Sequence, residues 1–117
     1  MSYKTTKKDF AEFKKEAEKW LDYFGLTEWE LYWEHSDIGD ATARCQFNDT
    51  QKTLLFILNT KTNSKLNFRL SAFHEVCEAL LAPMTDLVLN TYNSDITTRY
   101  SHEIIHRLEN TIFKESL

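Results

Sequence analysis

Ala72-Phe73-His74-Glu75-Val76-Cys77-Glu78-Ala79-Leu80-Leu81 is the stretch on which the fold of this chain turns. Its apolar members spread around most of a helical circumference, so the pattern predicts a helix set in the middle of a domain. His74 and Glu78, four residues apart, stand one above the other on one face of that helix. Two ionisable groups thus enter an apolar setting, which is costly unless they are paired or coordinated. Nearer the end of the chain, His102-Glu103-Ile104-Ile105-His106 repeats the same spacing.

Around this stretch, the periodicity predicts a helix over 66–82, stopped by Pro83, after a polar linker over 61–65. Upstream the period is two. Trp29, Leu31 and Trp33 alternate with polar residues over 28–35, and Ala41, Ala43, Cys45 and Phe47 do so over 41–47, with a turn containing Gly39 between them. Residues 52–60 hold the run Leu54-Leu55-Phe56-Ile57-Leu58, apolar on both faces. These read as a three-stranded antiparallel meander. Before it, Phe10, Phe13, Ala17, Trp20, Leu21 and Phe24 give an amphipathic helix over 7–24, with Thr6 and Asp9 as a capping box and Gly25 as its stop. Downstream, Thr85 is placed to cap a short turn over 86–92, and Ser94 a last helix over 95–114 with Ser101, Ile105, Leu108 and Ile112 as its inner stripe. The fold class is α+β, and the whole of 1–117 is one domain, since the length suits one core and not two.

Composition sets outer limits on function. Hydrophobic residues at 42% and charged residues at 27% are ordinary for a globular protein, and two Gly and one Pro argue against a disordered chain. The formal charge of −4 disfavours non-specific binding to nucleic acid or an anionic membrane. The lysines between Lys4 and Lys19 alternate with Asp9, Glu12, Glu16 and Glu18, as on a solvated helix face. No apolar stretch resembles a signal or a membrane span, so the expected setting is cytoplasmic, with Cys45 and Cys77 reduced and Cys77 buried as a small apolar residue. Trp20, Trp29 and Trp33 are read as core.

The zinc-hydrolase motif H-E-x-x-H places two imidazoles on the ion and uses its Glu as general base toward water. The second copy here, His102 to His106, matches it letter for letter. The first ends in Glu78, whose carboxylate can still ligate zinc and makes the site harder. Helix–strand–strand–strand–helix–helix order, with the motif on the buried helix after the third strand, resembles the zincin arrangement. In its 72–81 run the chain is similar to small phage and prophage proteins with a zincin-like metallopeptidase domain, and the likeness extends loosely from the Trp-rich first strand to the final helix.

That resemblance implies His74 as a metal ligand, Glu75 as general base and a third ligand on the last helix, His102 or else His106. It also implies zinc, a peptide or protein substrate and, for a phage-encoded chain, the host cytoplasm. Glu78 is the departure from the family pattern; with an oxygen ligand, iron or manganese is less easily excluded. A rival set takes His102, His106 and Glu78 as ligands with Glu103 as base. Without any metal, the same residues make ordinary helix pairs, Glu103 with Arg107 among them.

Overall fold

The computed structural model describes residues 2–89 and 94–117. In chain order it has β1 (Tyr3–Lys4), α1 (Lys7–Tyr23), β2 (Glu30–Ser36), β3 (Ala43–Asn48), β4 (Thr53–Asn59), β5 (Lys61–Thr62), α2 (Phe68–Leu89) and α3 (Ser94–Leu108). The last helix passes into a π-helical turn, Glu109–Phe113. The class is α+β, as expected.

Both ends of α1 form as the sequence indicates. The Thr6 hydroxyl accepts from the Asp9 N–H at 3.1 Å and the Asp9 carboxylate from the Thr6 N–H at 2.9 Å, which satisfies two orphan donors of the first turn. Gly25, at φ +72°, donates to the Asp22 carbonyl, and Leu26 donates to that of Leu21, closing the helix in a Schellman turn. The charged face is less solvated than its composition suggests. Glu16 is buried, accepting from Trp20 Nε1 at 2.8 Å and from Arg69 Nε at 3.0 Å, and so ties α1 to the start of α2.

The antiparallel meander does not form. Strand order is β2-β4-β3, with β4 parallel to β2 and antiparallel to β3. A central strand has side chains on both flanks, so the uninterrupted apolar run of β4 gains most from that place. A meander would instead centre β3, whose Arg44, Gln46 and Asn48 are exposed. Residues 37–42 therefore cross the end of β4 instead of making a hairpin. Asn59, 1% exposed, pins the crossing: its amide donates to the Gly39 and Ala41 carbonyls at 2.8 and 2.7 Å, and its oxygen accepts from the Lys61 N–H at 3.2 Å. β1 and β5, which the period did not reveal, pair as a separate antiparallel ribbon.

One sheet face, carrying Leu54, Phe56 and Leu58 of β4, joins the core with Phe13, Ala17, Trp20 and Leu21 of α1 and Phe73, Val76 and Cys77 of α2. Trp20 and Trp29 are buried in this core and Trp33 packs against it. On the other face, Ile57 is buried in register between Glu34 and Arg44, but it is not part of the core cluster of the described residues. Asn67 caps α2 by accepting from the N–H groups of Arg69 and Leu70.

Pro83 does not end α2, which runs on to Leu89. A proline inside a helix removes one i to i−4 bond and strains the preceding turn. Here the Thr85 hydroxyl donates to the Ala82 carbonyl in that turn, and α3 packs along the helix. Thr85 is therefore inside α2 rather than a cap. Of the turn expected over 86–92, residues 86–89 belong to α2 and the rest lie outside the described residues, as does the Ser94 side chain. Over α3 and the π turn, Ile105 is fully buried and Leu108 and Ile112 pack against the core, but Phe113 is buried more deeply than Ile112. The π turn takes one extra residue, so Phe113 arrives where Ile112 stands on a regular helical wheel. No described helix is long and apolar enough to cross a membrane.

Candidate metal centre

Burial of Phe68, Ala72, Phe73, Val76, Cys77, Ala79 and Ala82 fixes the rotation of α2. The strip left uncovered carries His74 and Glu78 one turn apart. Across from it, burial of Ile105 sets the phase of α3 and brings His102 over α2. His74 Nε2 lies 3.5 Å from Glu78 Oε1, and His102 Nε2 lies 3.1 Å from the same oxygen. One donor atom from each of His74, Glu78 and His102 falls within 4.8 Å of the others, the one such group of three among the described residues. Donors about 2.0–2.1 Å from a tetrahedral zinc are about 3.3 Å apart, so the two nitrogen–oxygen spacings suit a shared ion. The chemistry fits as well: two imidazoles and a carboxylate leave a fourth position open, and all three side chains are partly exposed.

His106 is not in this group. It is 69% exposed and its Nδ1 lies 3.1 Å from Glu109 Oε1. Glu103 faces solvent and pairs with Arg107 at 2.9 Å. The letter-perfect second motif is thus split: His102 turns toward α2, while its partner residues do not assemble with it.

Glu109 is the residue that spacing did not single out. Its carboxylate, 14% exposed, accepts from His74 Nδ1 at 3.2 Å through Oε2, and its Oε1 lies 3.1 Å from His106 Nδ1. Thirty-five positions separate it from His74. A helical wheel places it beside the inner stripe of α3, and the only local sign of its engagement is His106 three residues earlier.

Glu75 points from α2 toward β3. The Asn59 N–H donates to the Thr42 carbonyl at 3.0 Å, and Ala43 is registered with Leu58. By the antiparallel alternation, the backbone groups of Ala43, Cys45 and Phe47 then face away from β4, along the free edge of the sheet. The backbone of Cys45 is close enough to the Glu75 carboxylate to favour its ionised form. An open cavity of about 260 Å³ lies between this edge and the helices, lined by Thr42, Ala43, Ser71, His74, Glu75 and Glu109.

The charges within the site shift one another. The hydrogen bond to Glu78, helped by Glu75 and Glu109 and opposed by burial, raises His74 to about 9. The same bond holds Glu78 below the usual carboxylate range. Burial, reinforced by Glu78, lifts the Glu75 carboxyl to about 7 against the pull of His74. Burial likewise raises both thiols, Cys77 to about 12, so neither supplies a thiolate at neutral pH. Cys77 is fully buried in the core and is not one of the grouped donors.

No family model, no curated protein and no solved structure matches this chain.

Proposed function

We propose that His74, Glu78 and His102 hold a divalent cation, zinc foremost, and that the chain is a metal-dependent hydrolase of metallopeptidase type. The observation that carries this reading is the convergence of three donors from two helices within 4.8 Å, with the half-buried Glu75 carboxylate beside them on the same helix. The resemblance of the 72–81 run to phage zincin-like proteins points the same way and makes the host cytoplasm its setting. An ion bound there supplies Lewis acidity to a carbonyl and acidifies water.

The chain's own residues do the rest. Glu75, raised to about 7, is matched to taking a proton from water near neutral pH and returning it to a leaving amine. Along β3, the outward backbone groups of Ala43 and Phe47 offer main-chain pairing to an extended peptide, which gives affinity with little demand on sequence. The cavity at Thr42 and Ala43 connects that edge to His74 and Glu75.

Purified full-length chain is expected to carry close to one zinc per molecule by elemental analysis, lost in His74→Ala. Glu75→Gln keeps the zinc and abolishes peptide cleavage. Absence of zinc, iron and manganese from protein prepared at neutral pH overturns the reading.

A second reading has an observation of its own. Glu78 stands where the family pattern has histidine and already hydrogen-bonds His102, as a retired site closed by internal pairs would. On this reading the chain is a catalytically inert zincin-shaped phage protein that occupies a host protein. Its biological effect then survives Glu75→Gln, His74→Ala and chelators alike, whereas loss of that effect with Glu75→Gln excludes it.

A further inference from the structure

We infer that Glu109 is a positioning residue for the metal centre, fixing the His74 imidazole with its proton on Nδ1 and its lone pair on Nε2. The inference rests on the metal reading of His74, Glu78 and His102 and adds to it a residue outside the donor group.

The ring of His74 meets different chemistry on its two nitrogens. Nδ1 lies 3.2 Å from Glu109 Oε2, and Nε2 lies 3.5 Å from Glu78 Oε1, on the side where His102 converges. An ionised carboxylate only accepts hydrogen bonds, so without a metal both ring nitrogens carry hydrogen, one toward Glu109 and one toward Glu78. An ion among the grouped donors would replace the Nε2 proton and leave the Nδ1–H on Glu109. A neutral imidazole has one lone pair to give; with Nδ1 protonated, that pair is on Nε2 and faces the other donors. An outer carboxylate of this kind also makes the imidazole a better base and holds its ring plane.

Glu109 is itself held. At 14% side-chain exposure it is better shielded than Glu78 at 38%, and its second oxygen lies 3.1 Å from His106 Nδ1. It opens the π turn, where the Lys114 N–H reaches back five residues to the Glu109 carbonyl. The Thr111 hydroxyl donates to the Arg107 carbonyl at 2.8 Å, satisfying an acceptor at the mouth of that turn. π turns inside helices are frequent at functional sites. His106 thereby finds a place in the site as the residue that steadies Glu109, not as a ligand.

The test is zinc affinity of the full chain, measured by competition with a chromophoric chelator, together with nitrogen-resolved NMR of the zinc-loaded imidazoles. Glu109→Ala is expected to weaken zinc by about 10- to 100-fold. Glu109→Gln, whose amide oxygen can still accept from Nδ1–H, falls between Ala and the parent. In the parent the His74 spectrum shows protonated Nδ1 and metal-bound Nε2; in Glu109→Ala that signature is lost or mixed. A merely structural Glu109 changes the melting temperature and leaves the nitrogen assignment of His74 as in the parent. Should the parent bind zinc and both variants bind it equally, or should His74 coordinate through Nδ1, the positioning role is overturned while the metal centre stands. If the parent binds no zinc, both fall together.

Discussion

His74 is surrounded by carboxylates: Glu75 beside it in the chain, Glu78 one turn on and Glu109 from the end of α3. These, the Glu78 hydrogen bond foremost, raise its pKa from 6.5 to about 9. The folded chain then keeps a proton that the unfolded chain releases near pH 6.5. The stabilisation from His74 is complete below that pH and is lost as pH rises through about 9. Glu75 acts in the same sense. Burial lifts it from 4.5 to about 7, so ionising it across that interval costs the fold stability. Glu78, lowered by its bond to His74, works oppositely: its contribution is present above 4.5 and lost on acidification. For chelator-treated protein, urea denaturation is therefore expected to show stability falling between about pH 7 and 9. His74→Ala should flatten that slope. An unchanged slope in the variant would assign the loss to another group.

At the scale of elements, what periodicity reports and what it omits separate cleanly. Each of α1, β2, β3, β4, α2 and α3 was legible, because burial of one face writes a period into the sequence; the Thr6–Asp9 box and Gly25 were legible because caps are local chemistry. Strand order was not. It depends on which run gains most from two flanks, a comparison among β2, β3 and β4 that none of them encodes alone. The continuous apolar run of β4 was the available sign of a central strand. The buried state of Asn59 was illegible for the same reason, since its partners exist only once residues 37–42 have crossed the sheet. Pro83 misled because a tertiary partner, α3, holds the helix together past it. The crossing gives a prediction at this scale. Asn59→Ala strips partners from the Gly39 and Ala41 carbonyls and the Lys61 N–H. At about 0.5–1.5 kcal/mol net for each of the hydrogen bonds removed, the expected loss is about 2–4 kcal/mol, read as a lower urea midpoint at unchanged m-value. A loss under about 0.5 kcal/mol would mean that the crossing is held by other contacts.

Over the whole molecule, the candidate centre exists because α2 and α3 pack in one phase. His74 and Glu78 could be paired from the sequence, being on one helix. The helical wheel ranked His102 ahead of His106 without excluding the latter; which of them reaches α2 is set by the burial of Ile105. Glu109 is more remote still, its approach to His74 requiring both the packing of α3 and the π turn. A centre assembled across two helices couples metal binding to folding, since the unfolded chain does not bring the donors together. Zinc at one hundred times its dissociation constant is expected to stabilise the fold by about 2.7 kcal/mol, a rise of roughly 10 °C in melting temperature for a chain of this size. His74→Ala and His102→Ala should each remove the zinc-dependent part of that rise, and excess chelator should reverse it in the parent. His106→Ala, at a residue outside the donor group, should retain most of it. If His106→Ala abolishes the shift as fully as His102→Ala does, the donor set has been drawn on the wrong histidine. If zinc shifts none of the four proteins, the two helices meet over a network of hydrogen bonds and hold no ion.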